Sequence, residues 1–228
     1  MNIERLRLIW LCGLFFAAFI ISGCAGPGLY SVNMYYDAEK AVIPGYLKAD
    51  EKASGAAVSV AEFTDTRQMD DKLVIGRVVE DDGTKAPVFP KNVKATKSVA
   101  NGIKKYLKKA GYKVAEKTEQ WNLKEESIPL GDSKVLIGGN IEELEITCRR
   151  NFPSSSYKSN IKLNIVFADM AKGRILYKTN VESSYVQEHV LFSENILGEQ
   201  ADIVLADAIE KLFEDKSVAQ KLREALAP

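Results

Sequence analysis

Three long stretches in the second half of the chain have the alternating pattern of β-strands, and they constrain the fold more than any other feature. They cover residues 134–149, 157–170 and 173–187. Successive side chains of a strand point to opposite faces. The second stretch gives one face four large apolar residues: Ile161, Leu163, Ile165 and Phe167. Because a short link at residues 169–173 joins the second and third stretches, we expect these two to pair antiparallel in a meander.

Helical patterns lie before and after these stretches. Apolar residues recur at spacings of three and four between Asn92 and Gly111, which predicts one amphipathic helix. Ser193 is a predicted N-cap of a second helix, and Asp215 is a predicted N-cap of a shorter third one. The order of the elements predicts an α+β fold. We expect a two-layer sandwich in which a largely antiparallel sheet packs against about three helices.

Two local features add detail to the predicted strands. Residues 56–63 alternate between apolar and small or polar side chains, which predicts the first strand of the folded domain. Gly138 and Gly139 lie together inside the first long stretch. Glycine inside a strand is typical of a β-bulge or of a close approach of another group to the backbone, and both alternatives stay open here.

The first residues have the order of an export signal. Arg5 and Arg7 precede an apolar run over residues 8–21. This run is too short for a comfortable membrane span, which needs about 20 apolar residues, but it has the length of a secretory signal. An uncleaved signal anchor and an ordinary secretory peptide are the alternatives.

The four residues that follow resemble the lipobox of bacterial lipoproteins, since an aliphatic residue, two small residues and a cysteine occur in order: Ile21, Ser22, Gly23 and Cys24. The resemblance implies signal-peptidase recognition of the first three, cleavage after Gly23 and a diacylglycerol on the thiol of Cys24. Two or three acyl chains form a stable membrane anchor, whereas one holds only marginally. Ala25 stands where an aspartate would favour the inner membrane, which favours the outer membrane instead.

The chain is predicted to have three parts: a lipoprotein signal peptide over residues 1–23, a lipid-anchored tether over residues 24–55 and a single α+β domain over residues 56–228. The tether contains glycine and proline but no sustained apolar period. It also contains four tyrosines, through which we expect it to dock partly on the domain: Tyr30, Tyr35, Tyr36 and Tyr46. Fully extended, such a tether reaches on the order of 100 Å, so the domain need not touch lipid.

Composition narrows the classes of partner. The chain has 31 basic and 31 acidic residues, and removal of residues 1–23 takes away two basic residues and one acidic residue. A net charge near −1 gives no electrostatic reason to expect a nucleic-acid partner. Of the three cysteines, Cys12 would leave with the signal and Cys24 would be acylated. This leaves no intramolecular disulfide, and we expect Cys148 to be a half-buried strand residue.

Asp65 and Arg67 are the candidate contact residues for a ligand or partner. They stand directly after the first predicted strand, and binding sites often gather where strands end. The alternative is structural, because aspartate in such a turn commonly accepts hydrogen bonds from nearby backbone N–H groups and can pair with the arginine.

No catalytic motif and no cofactor or metal motif stands out, so we expect a non-enzymatic protein without cofactor. Asp70–Asp71 and Asp81–Asp82 lack the spacing of a calcium-binding loop. His189 is the only histidine, and no nucleophile elbow accompanies it. Glu143 and Glu145 share a strand face, so they could form a glycosidase-like carboxylate pair.

Several short segments together resemble the YajG-type family of bacterial lipoproteins. These segments are the strand and turn over residues 58–67, Ile75–Gly76, the helix-to-strand passage over residues 107–114, the hairpin at 169–173 and the final helical segment over residues 209–222. The resemblance implies an outer-membrane lipoprotein that faces the periplasm and has no assigned chemistry. It carries over no catalytic residue.

These features favour a membrane-anchored binding or accessory module of the cell envelope. Its partner would be an envelope protein, a cell-wall fragment or a lipid. One alternative is a periplasmic hydrolase of cell-wall material that uses Glu143, Glu145 or His189. The other is an envelope subunit that assembles with itself through an open strand edge.

Overall fold

A computed structural model describes residues 28–49 and 56–226. Its strands form one sheet: β1 (Tyr30–Val32), β2 (Ala57–Val60), β3 (Thr64–Asp65), β4 (Gly76–Val79), β5 (Lys85–Pro90), β6 (Lys113–Val114), β7 (Ser133–Arg150), β8 (Ser155–Asp169) and β9 (Arg174–His189). Its longer helices are α1 (Ala95–Lys109), α2 (Glu194–Glu214) and α3 (Lys216–Leu226). The predicted α+β fold class, with three helices against a sheet, is confirmed.

The predicted meander is present. β8 pairs antiparallel with β7 on one side and with β9 on the other. The inner face of β8 is fully buried at the predicted alternating positions: Ile161, Leu163, Ile165 and Phe167. Within the described ranges β9 pairs with β8 alone, which leaves the open edge that self-assembly would need.

The other side of β7 is built from strands that come much earlier in the chain. β2, β3 and β4 pair with it one after another, all parallel. The sheet is therefore mixed, with the antiparallel meander on one side of β7 and short parallel strands on the other. Parallel pairing was not predicted, because alternation within a segment shows that it is a strand but not which distant strand it pairs with.

The helices cover the inner face of the sheet. Ser193 caps α2, since its Oγ accepts a hydrogen bond from the Asn195 N–H at 3.2 Å, and Asp215 caps α3 through the Ser217 N–H at 2.8 Å. Both predicted N-caps are confirmed. The stacked rings of Tyr106 and Phe213, with centroids 4.9 Å apart, join α1 to α2. Among residues 28–49 and 56–226, no helix is both long enough and apolar enough to cross a bilayer.

Residues 28–49 lie against the folded domain, although they fall within the predicted tether. β1 pairs parallel with β5. Tyr36 is buried, and its hydroxyl donates to Glu210 Oε1 at 3.3 Å. Tyr46 donates to the Glu214 carbonyl at 2.9 Å. The described part of the predicted tether is thus an integral layer of the fold, because its strand and tyrosines together supply enough contacts to order it.

The paired glycines of β7 mark close approach, not a bulge. A Cβ at Gly139 would collide with the Asn164 carbonyl and the Phe63 ring, and a Cβ at Gly138 would lie 2.8 Å from the Trp121 ring. The register shift in β7 falls further along, between Ile141 and Glu143. Of the two alternatives left open for the glycines, close approach is therefore the one observed.

Candidate functional site

The parallel side of β7 has a gap in its strand pairing. β3 ends its pairing at Asp65↔Ile141, and β4 begins only at Gly76↔Ile146. Residues 142–145 of β7 therefore face a loop on this side. Backbone carbonyls left without partners inside a protein are costly, so the loop must supply donors.

Arg67 supplies those donors. Its Nη1 donates to the Leu144 carbonyl at 3.1 Å, inside the gap, and to the Val74 carbonyl at 2.9 Å. Its Nη2 donates to the Lys72 carbonyl at 2.7 Å and, at the same distance, to Asp65 Oδ2. Its Nε donates to Asp65 Oδ1 at 3.0 Å. The arginine side chain is only 5% exposed, and these contacts engage all five of its N–H groups.

Asp65 and Arg67 thus form an ion pair with a structural role in this loop. Asp65 Oδ1 also accepts the Arg67 backbone N–H at 3.1 Å, which is the capped turn that the sequence left open as an alternative. The arginine has no donor to offer a ligand in this arrangement. The geometry favours the structural alternative for Arg67, while the proposed ligand contact stays a prediction.

The bulge in β7 turns an additional carboxylate outward. Ile141 pairs with Leu163, and the next pair is Glu143↔Lys162, so Glu142 is an extra residue. Simple alternation from the buried Ile141 would keep Glu142 and Glu143 on opposite faces. Because of the bulge, Glu142, Glu143 and Glu145 all lie on the outer face, opposite the buried core.

A cleft of about 440 Å³ lies beside this bulge. Its lining combines the loop after β3 with the outer face of the meander: Arg67, Gln68, Met69, Val74, Ile75, Gly76, Arg77, Glu142, Glu143, Leu144, Glu145 and Asn160. Arg77 Nε lies 3.0 Å from Glu145 Oε1, and Lys162 Nζ lies 3.5 Å from Glu142 Oε2. Glu143 is the exposed carboxylate among the three.

Glu143 has a weak partner. The Asn160 amide donates to its Oε2 at 3.5 Å, a long distance for a hydrogen bond. Glu142 and Glu145 are paired with Lys162 and Arg77, so Glu143 gives this surface the carboxylate oxygens that a ligand can reach. Such a surface suits a ligand that presents amino or guanidinium groups.

The rest of the outer face has an apolar part and a polar part. At one end Trp121 packs over Leu136, Val166 and Met170 in a small buried cluster. Beyond it a row of amides crosses the meander in register: Asn140, Asn164 and Asn180. The Asn164 side chain donates to the Asn180 side chain at 2.8 Å. The polar part of the outer face, from this row to the cleft, is the candidate binding face.

The structure brings Glu143 and Glu145 to one cleft but leaves His189, the third possible catalytic residue, outside it. Glu145 pairs with Asn160 and is engaged by Arg77, whereas His189 pairs with Ser155 at the end of the strand. Five residues along a strand correspond to roughly 16 Å, so His189 is remote from the glutamates. Its Nδ1 lies 3.0 Å from the Leu191 carbonyl.

Cys148 is fully buried, not half-buried as expected, because it lies on the inner face of β7. Burial raises the pKa of its thiol to about 11. A neutral, enclosed thiol is a poor nucleophile. Within the described part of the chain, no three His, Cys, Asp or Glu residues are grouped to hold a metal ion.

The predicted lipidation residues, Ile21, Ser22, Gly23 and Cys24, lie outside the described residues. The sequence reasoning also missed Glu142, Asn160 and Arg77 as lining residues. Alternation alone hides this grouping, since it puts the adjacent Glu142 and Glu143 on opposite faces. Arg77 and Asn160 reach the cleft only through pairings between distant segments.

No family model matches the chain, and no curated protein matches its sequence. Among solved structures, a Xanthomonas campestris protein of the DUF330 family is similar with a TM-score of 0.51 and 11% identity, covering 86% of this chain and 99% of that one. A neuraminyllactose-binding hemagglutinin homolog from Helicobacter pylori has a TM-score of 0.47 and 10% identity, over 81% and 97%. A Neisseria meningitidis lipoprotein has a TM-score of 0.27 and 13% identity, over 66% and 95%. The first similarity shows a shared fold.

Proposed function

We propose that this chain is a non-catalytic binding module of the bacterial cell envelope, anchored by acyl chains on Cys24 and facing the periplasm from the outer membrane. The anchor is supported by the signal-like residues 1–23 and by the lipobox-like order that ends at Cys24. Ala25 supports the choice of the outer membrane. The YajG-like segments agree with both assignments.

The observation that carries the binding role is the uncovered polar face beside the bulge. A sheet face is normally covered by another layer or left as a simple charged surface. Here a bulge, a loop held by Arg67 and a cross-strand amide row together form a cleft with acceptor groups on one wall. We propose that the cleft binds a partner through amino groups, either on a protein segment or on a cell-wall fragment.

The non-catalytic assignment rests on how the possible catalytic groups are used. Glu145 is paired with Arg77, Cys148 is enclosed in the core, and His189 lies at the far end of the meander. A general acid and a general base need to act on one reacting bond. Glu143 shares the cleft with Glu145, but the ion pair with Arg77 occupies Glu145, and neither Cys148 nor His189 reaches the cleft to act as the second group.

The anchor is tested by Cys24→Ser in the full-length protein. We expect the variant to leave the membrane fraction, to lose incorporation of labelled palmitate and to migrate differently on a gel. Cys148→Ala is the matched control, because it removes the other cysteine of the processed chain and should leave all three properties unchanged. Membrane residence and palmitate labelling that survive Cys24→Ser would refute the anchor.

The binding face is tested by a photo-crosslinking amino acid at Gln68, an exposed residue of the cleft lining, in the lipidated protein in intact cells. The control site is Glu199, an exposed residue on α2. We expect a defined adduct from position 68 alone, and its loss when Glu142 and Glu143 are changed to glutamine. A discrete protein band identifies a protein partner, whereas material that collapses on cell-wall digestion identifies a cell-wall fragment. Adducts that are absent or equal at both sites would refute this binding face.

A further inference from the structure

One end of the sheet carries a group of apolar side chains that are open to solvent. Phe152 is 96% exposed, Val190 is 73% exposed and Leu191 is 72% exposed. Leu29, near the start of the described chain, is 75% exposed. These four residues are called the apolar tip below. Exposed apolar groups gathered at one place on a protein are typical of docking onto a membrane or another protein.

The strand register brings two of the connecting loops together. Arg150↔Ser155 is the last pair of β7 and β8, so Phe152 lies in the link that directly follows. Ser155 also pairs with His189, the last residue of β9. Val190 and Leu191 therefore leave the sheet beside the link that carries Phe152.

The start of the described chain arrives at the same end. The Tyr30 ring packs edge-on against the Phe192 ring with centroids 5.3 Å apart, and the Arg150 guanidinium lies 4.9 Å from that ring. The Tyr30 hydroxyl donates to Glu80 Oε1 at 3.2 Å. These contacts hold the chain at Tyr30 beside Phe192, which directly follows the exposed Val190 and Leu191.

The direction of β1 places Leu29, the residue before Tyr30, toward the tip. β1 runs parallel to β5, and β5 begins at Lys85, which pairs with Val79 beside Arg149 of β7. Residues before Tyr30 therefore leave β1 toward the end of the sheet at which β7 finishes. Leu29 is the first of them.

The distance to the proposed anchor is short. Cys24 precedes Tyr30 by six residues, and six residues span at most about 21 Å even when fully extended. The long reach expected of a free tether does not apply, because residues 28–49 are packed on the domain. An anchor at Cys24 therefore keeps Tyr30 within roughly this distance of the lipid surface, at the end of the sheet that carries the tip.

We propose that the apolar tip docks into the interfacial layer of the membrane that holds the Cys24 anchor. The inference rests on the proposed lipidation, and it adds a second, non-covalent contact that fixes the orientation of the domain. Apolar side chains beside a lipid anchor strengthen membrane attachment by burial in the headgroup and acyl boundary. The domain then stands on the membrane at one end of its sheet.

Charges near the tip are mixed, so the docking is driven by apolar burial. Asp81 and Asp82 lie in the turn between β4 and β5 at this end, while Glu80 is paired with Arg150 at 2.8 Å. Arg149 and Lys158 are exposed basic residues nearby. We therefore expect docking to neutral phosphatidylcholine vesicles and little dependence on salt.

The test uses the full-length lipidated protein in phosphatidylcholine vesicles, with a nitroxide label at Phe152→Cys. The control is Leu130→Cys, because Leu130 is 98% exposed and precedes β7 at the opposite end of the sheet. Cys148 is buried and stays unlabelled. We expect the label at 152 to be several-fold less accessible to a water-soluble relaxation reagent than the label at 130. The label at 152 should be more accessible to oxygen than the label at 130. A label at Leu191→Cys should behave like the label at 152.

The outcomes separate this inference from the proposed function. Protein that stays on the vesicles while the labels at 152 and 130 are equally accessible overturns the tip contact and leaves the anchor standing. Protein that carries no acyl chain and fails to bind vesicles overturns the proposed function itself. Protection of position 152 in native membranes but not in pure lipid vesicles would mean that a membrane protein covers the tip, which also overturns the proposal.

Discussion

β7 is bordered in two different ways. On one side β8 runs along it in an antiparallel ladder from Val135↔Asp169 to Arg150↔Ser155. On the other side three short parallel strands meet it in turn and leave residues 142–145 to a loop. The ladder is supported by backbone pairing along almost its whole length. On the broken side the Arg67 side chain spans the gap by donating to the Leu144 carbonyl, and the candidate cleft opens at that break.

The largest loss in the free energy of unfolding is expected for Arg67→Met, which removes the side chain that spans the gap beside β7. The substitution leaves the nearly buried Asp65 without its partner and removes the donors to three backbone carbonyls. Breaking a buried ion pair from one side costs about 3–5 kcal/mol. We expect a loss of about 4 kcal/mol in the free energy of unfolding, measured by denaturant titration.

The control is Arg149→Met, because Arg149 is an exposed arginine on β7 itself. It should change the free energy of unfolding by less than about 0.5 kcal/mol. Equal effects of the two substitutions would show that the loop after β3 is held without Arg67.

The ladder side is tested by Leu163→Ala. Leu163 is completely buried on the inner face of β8, so removing its side chain leaves a cavity. We expect a loss of about 3 kcal/mol in the free energy of unfolding. Asn164→Ala changes the neighbouring residue on the outer face and should cost only about 0.5 kcal/mol. A similar cost at both positions would contradict the assignment of the two faces.

Gly76→Ala tests the close packing of β4 against β7 on the parallel side. A Cβ at this position would collide with the Ile146 backbone carbonyl, at the point where β4 meets β7 after the gap. We expect a loss of about 2 kcal/mol through strain, measured by thermal or denaturant unfolding. Gly45→Ala is the control, since no atom lies within 4 Å of a Cβ there, and a comparable loss in that variant would remove the steric explanation.

The smallest effect is expected from Glu143→Gln. Glu143 is exposed and has only a long contact with Asn160, so the free energy of unfolding should change by less than about 0.5 kcal/mol. Crosslinking or binding at the cleft should nevertheless fall. A stability loss comparable to that of Gly76→Ala would mean that Glu143 supports the fold and not a binding face.

The ladder side could be predicted from the sequence because its signals are local. Alternation identifies β8, the short link at residues 169–173 specifies its pairing with β9, and the caps at Ser193 and Asp215 precede their helices directly. Each of these signals acts within a few residues. The pairing partner of β2, in contrast, begins more than seventy residues later at Ser133.

The candidate site could be predicted only in fragments. The position of Asp65 and Arg67 after a strand singled them out, but the Leu144 carbonyl that Arg67 binds is separated from it by 77 residues. Alternation correctly placed Glu143 and Glu145 on one face. It could not place Glu142 on the same face as these two, because the bulge that allows this has no glycine or proline to mark it.

The central place of β7 has a consequence for the order in which the sheet assembles. As the chain lengthens from its amino terminus, β2, β3 and β4 emerge well before the strand that they all pair with. Pairing between such distant segments closes long loops and is slow. The earlier strands must therefore wait as separate pieces until residues 133–150 arrive, because only β7 joins the β1–β5–β4 group to the β2–β6 pair.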